Sequence, residues 1–132
     1  MFLTRSPTKS RSARFALTAA MLLSCGLAAP AFAHARLVSA NPAANGMAMP
    51  PPTELRLKFS EAVEPRFTKV SVTGPGKKAI ETGQVSVDPN DSTQLIVPLK
   101  APLPDGNYIV NWQAVSSDGH KVKGSYRFES MQ

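Results

Sequence analysis

Two residues of this chain stand out for the chemistry they carry: His34 and His120, its only histidines. His34 follows Ala31-Phe32-Ala33, so a cut after Ala33 makes it the first residue of a shorter chain. A terminal histidine offers its α-amino nitrogen and its ring as a chelating pair, which an internal histidine does not. Both kinds of nitrogen ordinarily give up a proton near neutral pH, where a divalent metal competes for the site. His120 closes the run Ser116-Ser117-Asp118-Gly119-His120. If that run is extended, Asp118 and His120 are two residues apart and face one side. Nitrogen donors joined by a carboxylate oxygen suit Cu(II), which favours tetragonal nitrogen and oxygen sites and heads the affinity order of the divalent first-row metals.

The same residues have plainer readings. A histidine after a cleavage site is ordinarily solvated, and Asp118-Gly119 is a hairpin turn signal in its own right. Glu61, in Phe59-Ser60-Glu61, reads as a surface acid at the end of a strand. Met47 and Met49 carry thioethers that suit Cu(I), but two methionines in a proline-rich loop also serve as packing.

The chemistry of His34 depends on what precedes it. The whole chain has 132 residues and a net charge of +6. Arg5, Lys9, Arg11 and Arg14 fall in its first fourteen residues, and no charge follows from Phe15 to Ala33. A basic start, an apolar middle and an Ala-x-Ala end describe a secretory signal peptide over residues 1–33. Cleavage between Ala33 and His34 leaves a domain over residues 34–132, with eleven cations against nine acids. That near balance removes the nucleic-acid reading suggested by the whole chain. Cys25, the only cysteine, lies in the leader, which excludes Cys-based zinc, iron–sulfur and blue-copper centres from the exported domain. Leu22-Leu23-Ser24-Cys25 loosely resembles a lipoprotein box, a minor alternative in which the protein is lipid-anchored through Cys25. No later run approaches the roughly 18 apolar residues of a membrane span, so no stable membrane insertion is expected.

The elements that must position the histidines read as short strands. Leu55, Leu57 and Phe59 alternate with Glu54, Arg56 and Lys58, the period of a half-buried strand. Val70 and Val72 repeat the pattern before the turn formers Thr73-Gly74-Pro75-Gly76. Leu37-Val38, Gln84–Val87, Gln94–Leu99, Asn107–Val115 and Lys121–Phe128 bring the count to about seven. Turn signals every ten residues or so, with no sustained helical period, predict an all-β sandwich. Trp112 shares a face with Tyr108, Val110 and Ala114 and is expected in the core, while Ala48–Pro52 is expected as a stiff loop or edge.

His34-Ala35-Arg36-Leu37-Val38-Ser39-Ala40-Asn41-Pro42, Leu57-Lys58-Phe59-Ser60-Glu61, Leu103-Pro104-Asp105-Gly106-Asn107-Tyr108 and Val110–His120 together resemble the CopC family of periplasmic copper-resistance proteins. Gly124-Ser125-Tyr126-Arg127-Phe128 fits as well. The resemblance implies a Greek-key β-sandwich or barrel, immunoglobulin-like or cupredoxin-like. It implies one Cu(II) held by His34, Asp118 and His120, with Glu61 as a weak ligand or outer-shell group. Some members carry a second, Cu(I) site in a Met-rich segment with a histidine. Here that region reads Ser71–Ile80, without Met or His and with Lys77 and Lys78, so no Cu(I) site is expected. The resemblance further implies a monomer in the periplasm that buffers or delivers copper and is not an enzyme. A separate inner-membrane copper transport protein is its implied partner. The competing classes are a metal-free immunoglobulin-like interaction module and a small copper oxidase built on a histidine brace.

Overall fold

Alternating apolar residues fix which side of each strand turns inward. A computed structural model of the chain describes Leu3 and residues 34–132. The chain divides into two units, Met1–Phe32 and Ala33–Gln132, and the architecture given below is that of the second. Apart from Leu3, the expected leader, Cys25 and Ala33 included, lies outside the described residues. Nine strands follow in order: β1 (Leu37–Asn41), β2 (Met47–Ala48), β3 (Glu54–Phe59), β4 (Lys69–Thr73), β5 (Ala79–Ile80), β6 (Ser86–Asp88), β7 (Asp91–Pro98), β8 (Gly106–Val115) and β9 (Lys121–Ser130). Short 3-10 turns occupy Pro65–Phe67 and Pro75–Lys77.

The strands form a four-stranded sheet, β1-β3-β7-β6, and a five-stranded sheet, β2-β9-β8-β4-β5. Their pairs are antiparallel except β2 with β9, which is parallel. The chain passes between the sheets repeatedly, giving the all-β Greek-key sandwich expected, open rather than closed into a barrel. Seven strands answer to the seven read from sequence. The additional ones, β2 and β5, are two residues long, too short to show a period.

The core lies between the sheets. Leu55, Leu57 and Phe59 of β3 and Leu95 and Val97 of β7 meet Tyr108, Val110, Trp112 and Ala114 of β8 and Tyr126 and Phe128 of β9. Trp112 fills the core as expected, its ring edge-on to Phe59 at 5.1 Å and 78°. Room for the indole comes from Gly124, the cross-strand partner of Trp112. A Cβ there would stand 2.6 Å from the indole Cζ2. Tyr108 stacks on Phe128, and its hydroxyl donates to the Pro104 carbonyl at 2.7 Å, tying β8 to the loop before it.

Outward residues of the four-stranded sheet are paired. Arg56 contacts Glu54 Oε1 at 2.6 Å and Asp88 Oδ2 at 2.9 Å, and Lys58 Nζ donates to Asp91. Bonds from Lys58 and then from Thr93 lower the Asp91 carboxyl from its ordinary 3.8 to about 2.

Candidate metal centre

Residues 34–36 lie just before β1 and are fixed to the loop after β3. Arg36 N–H donates to Ser60 Oγ at 3.1 Å, and Ser60 N–H donates back to the Arg36 carbonyl at 2.9 Å. Ala35, 3 % exposed, anchors the segment in the core and leaves His34 exposed at the end of the sandwich.

His120 approaches from the other sheet, on the hairpin between β8 and β9. Ser116 N–H donates to the His120 carbonyl at 3.0 Å, and Gly119 N–H to the Ser116 carbonyl at 2.9 Å. Gly119 has φ +90°, a left-handed conformation that glycine adopts without a Cβ penalty. The segment is therefore a turn, not the extended run on which an i, i+2 pairing was expected. Asp118 and His120 nevertheless meet, with Asp118 Oδ2 2.8 Å from His120 Nδ1. The buried Ser116 hydroxyl donates to the other Asp118 oxygen. These bonds, first from Ser116 and then from His120, draw the Asp118 carboxyl from 3.8 down to about 2.

The two segments bring the histidines together. The ring centres of His34 and His120 are 5.0 Å apart at 79°. At ~2.0–2.1 Å per metal–nitrogen bond, two imidazoles on one ion have centres roughly 4.5–6 Å apart, so the pair fits a shared metal. Among the described residues no three His, Cys, Asp or Glu side chains already converge as a metal-holding group. Asp118 is turned onto His120 and Ser116.

Glu61 is half-buried at the same end of the sandwich. Its neighbour Ser60 is bonded to Arg36, and its neighbour Ala62 accepts from Ser117 N–H at 3.1 Å. Met47 and Met49 lie elsewhere. Met47 pairs with Glu129 near the end of β9, whereas His120 precedes that strand's first residue. They are 58 % and 62 % exposed. Ser116 and Ser60 carry positioning roles that the sequence reading missed. A serine two residues before an aspartate in a turn run was a usable signal for Ser116. Nothing local marked Ser60, whose partner is 24 residues away.

The fold and this corner define a class of protein: a small Greek-key β-sandwich with two imidazoles gathered at one end of its sheets. The CopC domain matches residues 37–130, and the chain belongs to the CopC family. Protein YobA of Escherichia coli K12 is 42 % identical over 120 residues, which span 90 % of this chain and 94 % of that one. Copper resistance protein C of Escherichia coli is 34 % identical over 110 residues, 78 % of this chain and 86 % of that protein. The crystal structure of PcoC, a methionine-rich copper resistance protein from Escherichia coli, superposes with a TM-score of 0.68 and 31 % identity, covering 75 % of this chain and all of that one.

Proposed function

We propose that this protein binds a single Cu(II) in the periplasm and buffers or delivers it, with copper as cargo and no catalytic step. The observation that carries the reading is the 5.0 Å approach of the His34 and His120 rings from opposite sheets. Relatives whose names speak of copper resistance support the metal. In this reading residues 1–33 are a signal peptide and residues 34–132 the copper-binding domain. Cleavage after Ala33 turns the His34 amide into an amine, so His34 binds through two nitrogens and His120 through one. The Asp118 carboxylate, held ionised by Ser116, retains lone pairs beyond those given to its hydrogen bonds and supplies the oxygen donor. It also orients His120, as carboxylates commonly orient metal-bound imidazoles. Glu61 stands in the outer shell. The protein acts as a monomer, and a separate inner-membrane copper protein is its partner.

The test is a competition titration with a chromophoric Cu(II) chelator on three forms: protein beginning at His34, the same protein with one glycine added before His34, and His34→Ala. The added glycine keeps every side chain but moves the amine by ~3.3–3.6 Å along the chain and leaves an amide in its place. Affinity is expected to fall by orders of magnitude in both altered forms while both remain folded. Equal affinity and an unchanged spectrum in the glycine-extended form would overturn the terminal chelate.

A further inference from the structure

The two sheets treat their outward cations differently. On the four-stranded sheet Arg56 and Lys58 are matched by Glu54, Asp88 and Asp91. On the five-stranded sheet the register sets Lys69, Gln113 and Lys123 in one row across β4, β8 and β9. The next rows are Ser71, Asn111 and Ser125, then Thr73, Ile109 and Arg127. Alternation turns all nine away from the core, opposite to the buried Val72, Val110, Trp112 and Tyr126. None of the nine is acidic. Among the described residues, none of Lys69, Lys123 and Arg127 forms an ion pair.

The first two rows, with Val70, Trp112 and Gly124 between them, line a shallow recess of about 620 Å³. Its amide and hydroxyl groups donate hydrogen bonds, and a lysine stands on either side, two strand spacings or roughly 9–10 Å apart. We propose that this face docks an acidic polypeptide segment of a partner protein. Donors flanked by unmatched ammonium groups complement carboxylates along a chain, and such pairing steers association. An anionic bilayer is the less suited occupant: a recess does not meet a plane, and Ile109 is the only large exposed apolar residue of the nine. Lys121 continues the face to the residue beside His120. A segment that follows β9 along this face would pass next to the candidate metal centre. A part in copper exchange rests on the reading given under Proposed function, whereas the docking itself does not.

The experiment maps amide chemical shifts of isotope-labelled, metal-free protein on addition of a poly-L-glutamate peptide of about ten residues, at low ionic strength where exposed charges are least screened. Shifts are expected to concentrate on the outward residues of β4, β8 and β9. Lys69→Glu with Lys123→Glu should weaken binding at least ~10-fold, while Lys77→Glu with Lys78→Glu, the same charge change on a loop, leaves it near wild type. No binding, shifts spread over every cation, or equal weakening in both double variants overturns the proposal. So does binding to phosphatidylglycerol vesicles without binding to the peptide. If a double variant misfolds, the wild-type shift map decides alone. Copper titration of the same samples separates the readings: docking by a protein that binds no copper sinks the copper site and leaves this face standing.

Discussion

The imidazoles of His34 and His120 face each other at 5.0 Å, although one is held by the loop after β3 and the other by the hairpin between β8 and β9. Their meeting joins the four-stranded sheet to the five-stranded one at the end of the sandwich.

An ion bound to both rings stabilises only the folded chain. With free Cu(II) at one hundred times its dissociation constant, the gain in unfolding free energy is expected to be ~2.7 kcal/mol. Urea unfolding of the protein beginning at His34, with and without copper, measures it. His120→Ala should erase the difference while leaving metal-free stability near wild type, because His120 is exposed.

Asp118→Asn keeps the size of the side chain but removes its charge and the strong acceptor on His120 Nδ1. Copper affinity is expected to fall about 10–100-fold, the usual cost of losing a group that orients a ligand. A chelator competition at neutral pH reads the change. The wild-type carboxyl, lowered to about 2, stays ionised through mildly acidic pH. Protonation of Asp118 is therefore not expected to contribute to any loss of copper between neutrality and pH 5.

The strands that position this site were legible where a long period met a buried face. Leu55, Leu57 and Phe59 alternate cleanly, and β8 alternates as far as Ala114 before Val115 breaks the period. Asp91 was not legible as a strand residue, because Asp88-Pro89-Asn90-Asp91 reads as a turn. In the structure Asp88 and Asp91 close that turn as a pair, and Asp91 is drawn onto Lys58 of β3, a contact 33 residues away. The site follows the same rule. His34, Asp118 and His120 were singled out as candidates by residue type and order, and the structure brings the two rings within 5.0 Å. The bonds from Ser60 to Arg36 and from Ser116 to Asp118 depend on how the loops fold back.

Asp91 gives acid stability a specific contributor. Its native carboxyl lies below the ordinary 3.8, so unfolding takes up protons as pH falls through that range. Its stabilisation is complete above 3.8 and lost as pH falls through about 2. The difference in melting temperature between wild type and Asp91→Asn should be present at pH 6 and gone near pH 2.

Gly124→Ala tests the packing of β9 on β8. The new methyl would stand 2.6 Å from the Trp112 ring, which must move in a core already holding Phe59 against its edge. A loss of ~1–3 kcal/mol is expected from urea unfolding at neutral pH, the range for overpacked cores. A stability equal to wild type would show that the indole relaxes without cost.

The two-residue length of β2 and β5 bears on how copies of this protein meet one another. They are the margins of the five-stranded sheet, and an incoming chain finds only two residues to pair with on either side. Very short margins are one of the ways sheets avoid fusing edge to edge. The four-stranded sheet ends in β6, of three residues, and β1, of five. Fibre growth by strand addition thus has one adequate template, β1, and the segment leading into it carries His34. If His34 and His120 share an ion as proposed, that ion would also stiffen the approach to this template, and copper-loaded protein is expected to form fibres more slowly than metal-free protein at the same concentration, which light scattering on incubation of the two forms measures.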